Sequence, residues 1–506
     1  MKNRRFPTCS RSLIALLCTQ LLLTACSASA HQPQPPSGWP EPKPAILPMP
    51  LPQPTPYPVV RTVPNFQAPS AAHCARPVQT REVPGWPEAT AQHRGEMRDR
   101  LAKSAPHDSA MAAGGVAPAA PAAAPSPSVR ADTGVAAESM ARRPYGPGFA
   151  SPQPQPQQMP APASTVTAGM VDDNADFTSY LAFRNRTRVE HRARDIRERY
   201  LLEVKDGRGR GIADAEVAVQ GASGHAMWAR TDAGGRVWLH PNAFDPGRSA
   251  SYSVAVRKNG LQSGALLTRG QKSAVEVQLE APAAEPRARL DLVFLIDATG
   301  SMADEIGKLK ATLHSIAGEM ARLPSRPDLC FGLVAYRDKG DAFLLRSHDF
   351  TNDLGAFQGV LNGLQAGGGG DYPEAMNEAL HETVHNLNWR GEGATRLVVL
   401  LADAPPHLDY GGPQYDTDMQ AALGKGIKVF SVGASGLDKQ GEYIQRQIAQ
   451  YTGGRFVFLT YADARQPSSG PGRETVHDVK NYSVDTLDRL IVRLVSEELG
   501  KLATGG

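Results

Sequence analysis

Three short segments of this 506-residue chain carry residue types able to hold a hard cation. Asp297-Ala298-Thr299-Gly300-Ser301-Met302 sets a carboxylate and two hydroxyls at alternate positions. Gly367 to Glu374 reads GGGGDYPE, with Asp371 after four glycines. Asp403 stands in Ala402-Asp403-Ala404-Pro405-Pro406-His407. Hard divalent cations take oxygen ligands, near-octahedral for magnesium. Oxygens at i, i+2 and i+4 of one loop can converge on a point, and glycines let a second backbone approach closely. Taken alone, the first segment reads equally well as a turn and helix cap. Three such loops in order predict a site for magnesium, manganese or calcium.

A second chemistry competes. His381-Glu382-Thr383-Val384-His385 spells HExxH, the helical pattern of a zinc hydrolase with Glu382 as its base. At 3.6 residues per turn, Met376, Leu380, Val384 and Leu387 share one face. His381 and His385 fall nearly opposite, with Glu378. Eight and eleven residues after Glu382 stand Arg390 and Gly393, neither a zinc ligand. The wheel predicts a solvated histidine stripe, and catalytic zinc is the competing reading.

The elements that position these loops follow from hydrophobic patterning. LDLVFLID (290–297) is the near-continuous apolar run of a strand buried on both faces. A helix follows at 303–323, then strand CFGLVAY (330–336), strand AFLLRS and helix LGAFQGVLNGL. Next come helix EAMNEALHETVHNLN, strand RLVVLLADA (396–404), a helix near 416–424 and strand KVFSVGA (428–434). Helix 439–451, strand RFVFL and helix 484–502 finish the chain. Alternating strands and helices predict a doubly wound, mostly parallel α/β fold, with ligands at the carboxyl ends of strands. Tyr336-Arg337-Asp338 ends the second strand near that rim and reads as a salt bridge. His407, Asp409 and Tyr410 read as loop, or as part of the ligand-facing surface.

On the three loops, residues 289–503 resemble the von Willebrand factor type A domain, in a subgroup with DxTGSM, GGGDxPE and DAPPH. The resemblance implies a metal-ion-dependent adhesion site in which Asp297, Thr299, Ser301 and Asp403 are ligands. The family usually has threonine in the second loop, where Asp371 stands here, which makes a variant site. It further implies recognition of a protein partner through an acidic side chain, without catalysis.

The N-terminus is of another kind. Lys2, Arg4, Arg5 and Arg11 precede an apolar run, Leu13 to Leu23, that is too short to span a bilayer, which takes roughly 20 residues. Leu23-Thr24-Ala25-Cys26 follows. This resembles the bacterial lipoprotein signal, which implies removal of residues 1–25, acylation (palmitate among the chains) of Cys26 and, with Ser27 next, an outer-membrane address. An ordinary secretory cut near Ala28 or Ala30 is the alternative. Residues 26–173 read as a disordered tether, because 29 of the 42 prolines lie between Pro33 and Pro162. Residues 174–199 read as a charged, helical lead-in with a solvated face. Residues 200–282 show five or six short strands between turn signals, which predicts a small β-sandwich. The run from VKDGRGRGIADAEVAV to ARTDAGGRVWLHP is similar to carboxypeptidase-regulatory and Ig-like modules.

Net charge bounds the partners. A value of +3 over 506 residues is no basic field, so nucleic acid is excluded. Five cysteines without a CxxC pair exclude a cysteine zinc finger and a disulfide scaffold. Cys74 reads as a free thiol and Cys330 as an inert core thiol. The sum is a lipid-anchored envelope protein, non-enzymatic, with a metal-dependent binding domain; a zinc hydrolase and a structural spacer are the alternatives.

Overall fold

The computed structural model describes residues 74, 80–85, 165–280, 288–323, 325–370 and 372–504. Cys26, Asp371 and most of 26–173 lie outside the described residues. Sixteen strands and seven helices of more than one turn organise them. The strands are β1 Thr80–Val83, β2 Thr167–Val171, β3 Tyr200–Lys205, β4 Glu216–Gly221, β5 Ala226–Arg230, β6 Arg236–Leu239, β7 Ser251–Lys258 and β8 Leu261–Thr268. They continue with β9 Val275–Gln278, β10 Arg289–Asp297, β11 Asp328–Tyr336, β12 Leu345–Thr351, β13 Thr395–Ala402, β14 Ile427–Gly433, β15 Phe456–Thr460 and β16 Val484–Thr486. The helices are α1 Phe177–Arg186, α2 Ala303–Ala321, α3 Leu354–Gly363, α4 Met376–His381, α5 Tyr415–Lys425, α6 Lys439–Tyr451 and α7 Leu487–Thr504.

One nine-stranded sheet runs β1-β12-β11-β10-β13-β14-β15-β2-β16. Its five central strands, β11, β10, β13, β14 and β15, are mutually parallel. Two antiparallel strands flank them on each side. The fold is therefore α/β with a mostly parallel central sheet. β10 shows why: Leu292, Phe294 and Ile296 enter the core under α2, α3 and α7, while Val293 and Leu295 enter the core under α4, α5 and α6. A strand apolar on both faces has to be covered on both.

Residues 200–278 form a sandwich of a three-stranded sheet, β6-β3-β9, and a four-stranded one, β5-β4-β7-β8. Alternation along β7 turns Tyr252, Val254 and Val256 inward. Its core runs continuously into the α4–α6 side of the large sheet. Asp214 is the polar link: its carboxylate meets Arg396 of β13 at 2.9 Å, Arg230 of β5 at 3.1 Å and the Gly393 amide at 2.7 Å.

Several expectations are corrected. The stretch read as tether contributes β1 to one edge of the sheet and β2 next to the other edge. Cys74 and Cys330 are not free thiols: they are joined in a disulfide, with Cα atoms 5.8 Å apart. The lead-in is helical only over α1, and its arginines are largely engaged. Arg194 pairs with Asp416 at 2.6 Å, and Arg199 lies over the Phe177 and Trp238 rings at 3.7 and 3.9 Å. The strand read as AFLLRS starts later, at Leu345, and the last helix begins at Leu487 after a short strand. β10 also buries a charge, Asp291, paired with Arg390 at 2.6 Å and with neither side chain exposed.

Candidate metal centre

The site is built by three loops at the carboxyl ends of β10, α3's return segment and β13. β10 ends at Asp297, and the chain turns immediately into α2, so the Asp297–Ser301 side chains face the rim of the sheet. Thr299 donates its amide to Asp297 Oδ1 at 2.9 Å and its hydroxyl to the same oxygen at 2.7 Å. Thr299 Oγ1 lies 3.1 Å from Ser301 Oγ. Asp403 sits just beyond β13, beside Ser301 and Asp297. Asp297, Thr299, Ser301 and Asp403 are thus brought together.

Backbone hydrogen bonds knit the glycine loop to its neighbours. The Gly367 amide donates to Ala298 O at 3.0 Å, the Gly300 amide to Gly368 O at 3.1 Å, and the Glu374 amide to Pro405 O at 3.1 Å. Gly369 has a left-handed φ of 66°, and a Cβ there would stand 2.8 Å from Thr299 Cβ and 2.9 Å from Glu374 Oε1. Only glycine combines that backbone with that approach. Asp371, the second-loop ligand implied by family resemblance, lies outside the described residues. The loop supplies instead a carboxylate that the sequence reading did not single out, Glu374.

Electrostatics mark the cluster. Asp297 is fully buried and Glu374 and Asp403 nearly so. One oxygen of each, Asp297 Oδ2, Glu374 Oε2 and Asp403 Oδ1, is buried without a hydrogen-bond partner among the described residues. Burial, then the Asp403 charge, pushes the Asp297 carboxyl up to about 7. Burial, then Asp297, Asp338, Asp341 and Asp403, pushes Glu374 up to about 9. Burial likewise raises Asp403. Three carboxylates facing each other in a low-dielectric pocket must take up protons or share a cation. With two hydroxyls beside them, the donor set fits a hard divalent ion.

The remaining candidates are placed around it. Arg337 does not bridge to an acid there; it donates to Ala298 O at 3.2 Å and Gln365 O at 2.9 Å. Asp338 pairs with His407 at 3.1 Å. Tyr410 donates its hydroxyl to Glu378 at 2.5 Å. The solvated histidine stripe is corrected. α4 widens at Glu382–Asn386 into an i→i+5 turn, and both imidazoles face Asp418 of α5, at 2.9 Å from His381 and 3.0 Å from His385. Glu378 and Glu382 are buried as well. Met376, Leu380, Val384 and Leu387 do form the buried face. Among the described residues no helix is long and apolar enough to cross a membrane.

Residues 291–406, which include the first loop, the glycine loop and Asp403, match the sequence model of the von Willebrand factor A domain. A von Willebrand factor A domain is present. The alpha-protein kinase vwkA of Dictyostelium discoideum is 29% identical over 138 residues, which are 27% of this chain and 22% of that protein. An ariadne-like RING finger protein, R811, of Acanthamoeba polyphaga mimivirus is 31% identical over 121 residues, 24% of this chain and 12% of that one. The chain therefore spans less than a quarter of either relative. Among solved structures, the pilus adhesin SpaC from Lactobacillus rhamnosus GG aligns with TM-score 0.25 and 18% identity, over 41% of this chain and 31% of that one. The SpRpn10 VWA domain aligns with TM-score 0.24 and 16% identity, over 32% of this chain and 82% of that one.

Proposed function

We propose that this chain is a lipid-anchored protein of the cell envelope, at the outer membrane, that recognises a protein partner through a divalent cation. Asp297, Thr299, Ser301, Asp371 and Asp403, with Glu374 beside them, would hold magnesium, manganese or calcium. A bound cation there would offer an acidic side chain of the partner a coordination position. The observation that carries this reading is the set of three buried carboxylate oxygens without hydrogen-bond partners among the described residues, two of them just beyond parallel strands and the third in the α3–α4 loop. An anchoring role for Cys26 rests on its lipobox. The Cys74–Cys330 disulfide supports export, since such bonds persist in oxidising compartments. The engagement of Glu382 by Ser347 at 2.8 Å, Asn386 at 2.7 Å and Arg81 at 3.0 Å favours this reading over the hydrolase alternative, which needs that carboxylate as its base.

Two measurements test the reading. Calorimetric titration of magnesium into chelator-treated protein should show one site, weakened roughly tenfold or more by Asp403→Ala. A spacer with an inert loop cluster would give no binding heat in either protein. Cys26→Ser should move the protein from the membrane to the soluble envelope fraction, because stable anchoring takes two or more acyl chains on that residue. Unchanged processing and membrane retention would rule out the lipid anchor.

A further inference from the structure

A second cluster lies apart from the loop site, between α4 and α5. His381 Nδ1 and His385 Nε2 both point at Asp418 Oδ1, at 2.9 and 3.0 Å. Their rings lie 4.4 Å apart between centroids, tilted by 31°. The three donor atoms all lie within 4.8 Å of one another. Asp418 is 2% exposed. Its Oδ2 is buried without a hydrogen-bond partner, and so is His381 Nε2. Two imidazole N–H groups on one carboxylate oxygen would leave both of those atoms unsatisfied, which a purely structural hydrogen-bonded cluster has no reason to do.

The geometry points to a transition-metal site here, formed by His381, His385 and Asp418, for a zinc-class divalent ion. Two neutral imidazoles and one carboxylate suit zinc and its neighbours rather than magnesium or calcium. Metal–ligand bonds of about 2.0–2.1 Å in a tetrahedron set donors roughly 3.3 Å apart. The observed separations from the Asp418 oxygen need to open by only a few tenths of an ångström to admit the ion. The His381 and His385 side chains are 20% and 26% exposed, so solvent reaches one side and can supply the fourth ligand. Glu382, the base of the HExxH pattern, points elsewhere, to Ser347 and Asn386. The site therefore binds metal without the hydrolytic machinery. It clamps the end of α4 and the turn that follows it to α5. This inference does not depend on the loop site, whose donors are all oxygens.

The test is a cobalt(II) titration of the full chain, stripped by chelator and returned to saturating magnesium so that the oxygen site is filled. Wild type should take up about one equivalent with visible absorption bands of a tetrahedral ion, displaced by zinc. Asp418→Asn and the pair His381→Gln with His385→Gln should each bind roughly tenfold or more weakly. Asp297→Asn should keep the cobalt spectrum. Wild type with no cobalt bands under magnesium overturns the proposal, whatever the variants do. Equal uptake by wild type and both variants also overturns it, since other histidines would then be the ligands.

Discussion

At the residue scale, the loop carboxylates tie cation binding to pH. The Asp297 carboxyl rises to about 7 in the folded protein, against about 3.9 when unfolded. The metal-free folded state therefore binds protons more tightly than the unfolded chain. That contribution to stability is present below about pH 4 and is lost as pH rises through about 7. Melting of chelator-treated protein should fall between pH 4.5 and pH 7.5, and saturating magnesium should abolish the fall. Asp297→Asn should shrink the pH dependence to the part carried by Glu374 and Asp403, whose carboxyls are also raised, and weaken the response to magnesium. Identical melts with and without magnesium at pH 7.5 would count against cation binding. The sequence made Asp297, Thr299, Ser301 and Asp403 legible because their spacing states the chemistry locally. Glu374 was hidden, since its role depends on the glycine loop folding over Thr299. The histidine–Asp418 contact was hidden for a related reason: a helical wheel ranks faces of one helix and knows nothing of α5.

At the element scale, Asp214 does what no local pattern announces. It sits in a sandwich turn with φ 52° and joins Arg230, Lys258 and Arg396 across the boundary with the large sheet. Burial opposes its charge, yet Arg396, Arg230 and Lys258 hold its carboxyl down at about 2. A group lowered in this way contributes stability that is present above about pH 4 and lost as pH falls through about 2. Asp214→Ala would take a buried carboxylate from Arg396, Lys258 and Arg230, the last keeping Glu216 at 2.6 Å; breaking a buried pair in this way costs about 3–5 kcal/mol. Urea unfolding should report that loss, and Arg396→Met added to Asp214→Ala should recover part of it. A loss below about 0.5 kcal/mol, the scale of a neutral surface change, would mean that solvent already reaches the link. The parallel strands were legible as apolar runs. β1 and β2 were not, because strands of four and five residues are too short for a period to stand out from the proline-rich chain around them.

At the scale of the whole molecule, the disulfide joins residues 256 positions apart, with Cys74 ahead of β1 and Cys330 in β11. Asn352 of the β12–α3 connection donates its amide to Cys74 O at 3.1 Å, so the bond pins the arriving chain to the edge of the sheet. A cysteine count could have raised the pairing. Cys9, Cys18 and Cys26 lie in or at the end of the proposed export signal, which leaves two cysteines for the oxidising compartment that export would reach. Partner identity stayed out of reach because proximity over such a separation is a property of the fold. Closing so long a loop restricts the unfolded chain, and disulfides of this kind contribute about 2–5 kcal/mol. Protein exported with its signal should therefore resist thiol labelling at Cys74 and Cys330 until reduced. The same chain made without residues 1–25, in a reducing compartment, should label at both, melt at lower temperature and be cut by protease near β1. Labelling is read by mass shift on the two cysteine peptides. Free thiols at both positions in the exported protein would undo the pairing and, with it, the compartment argument that supports export.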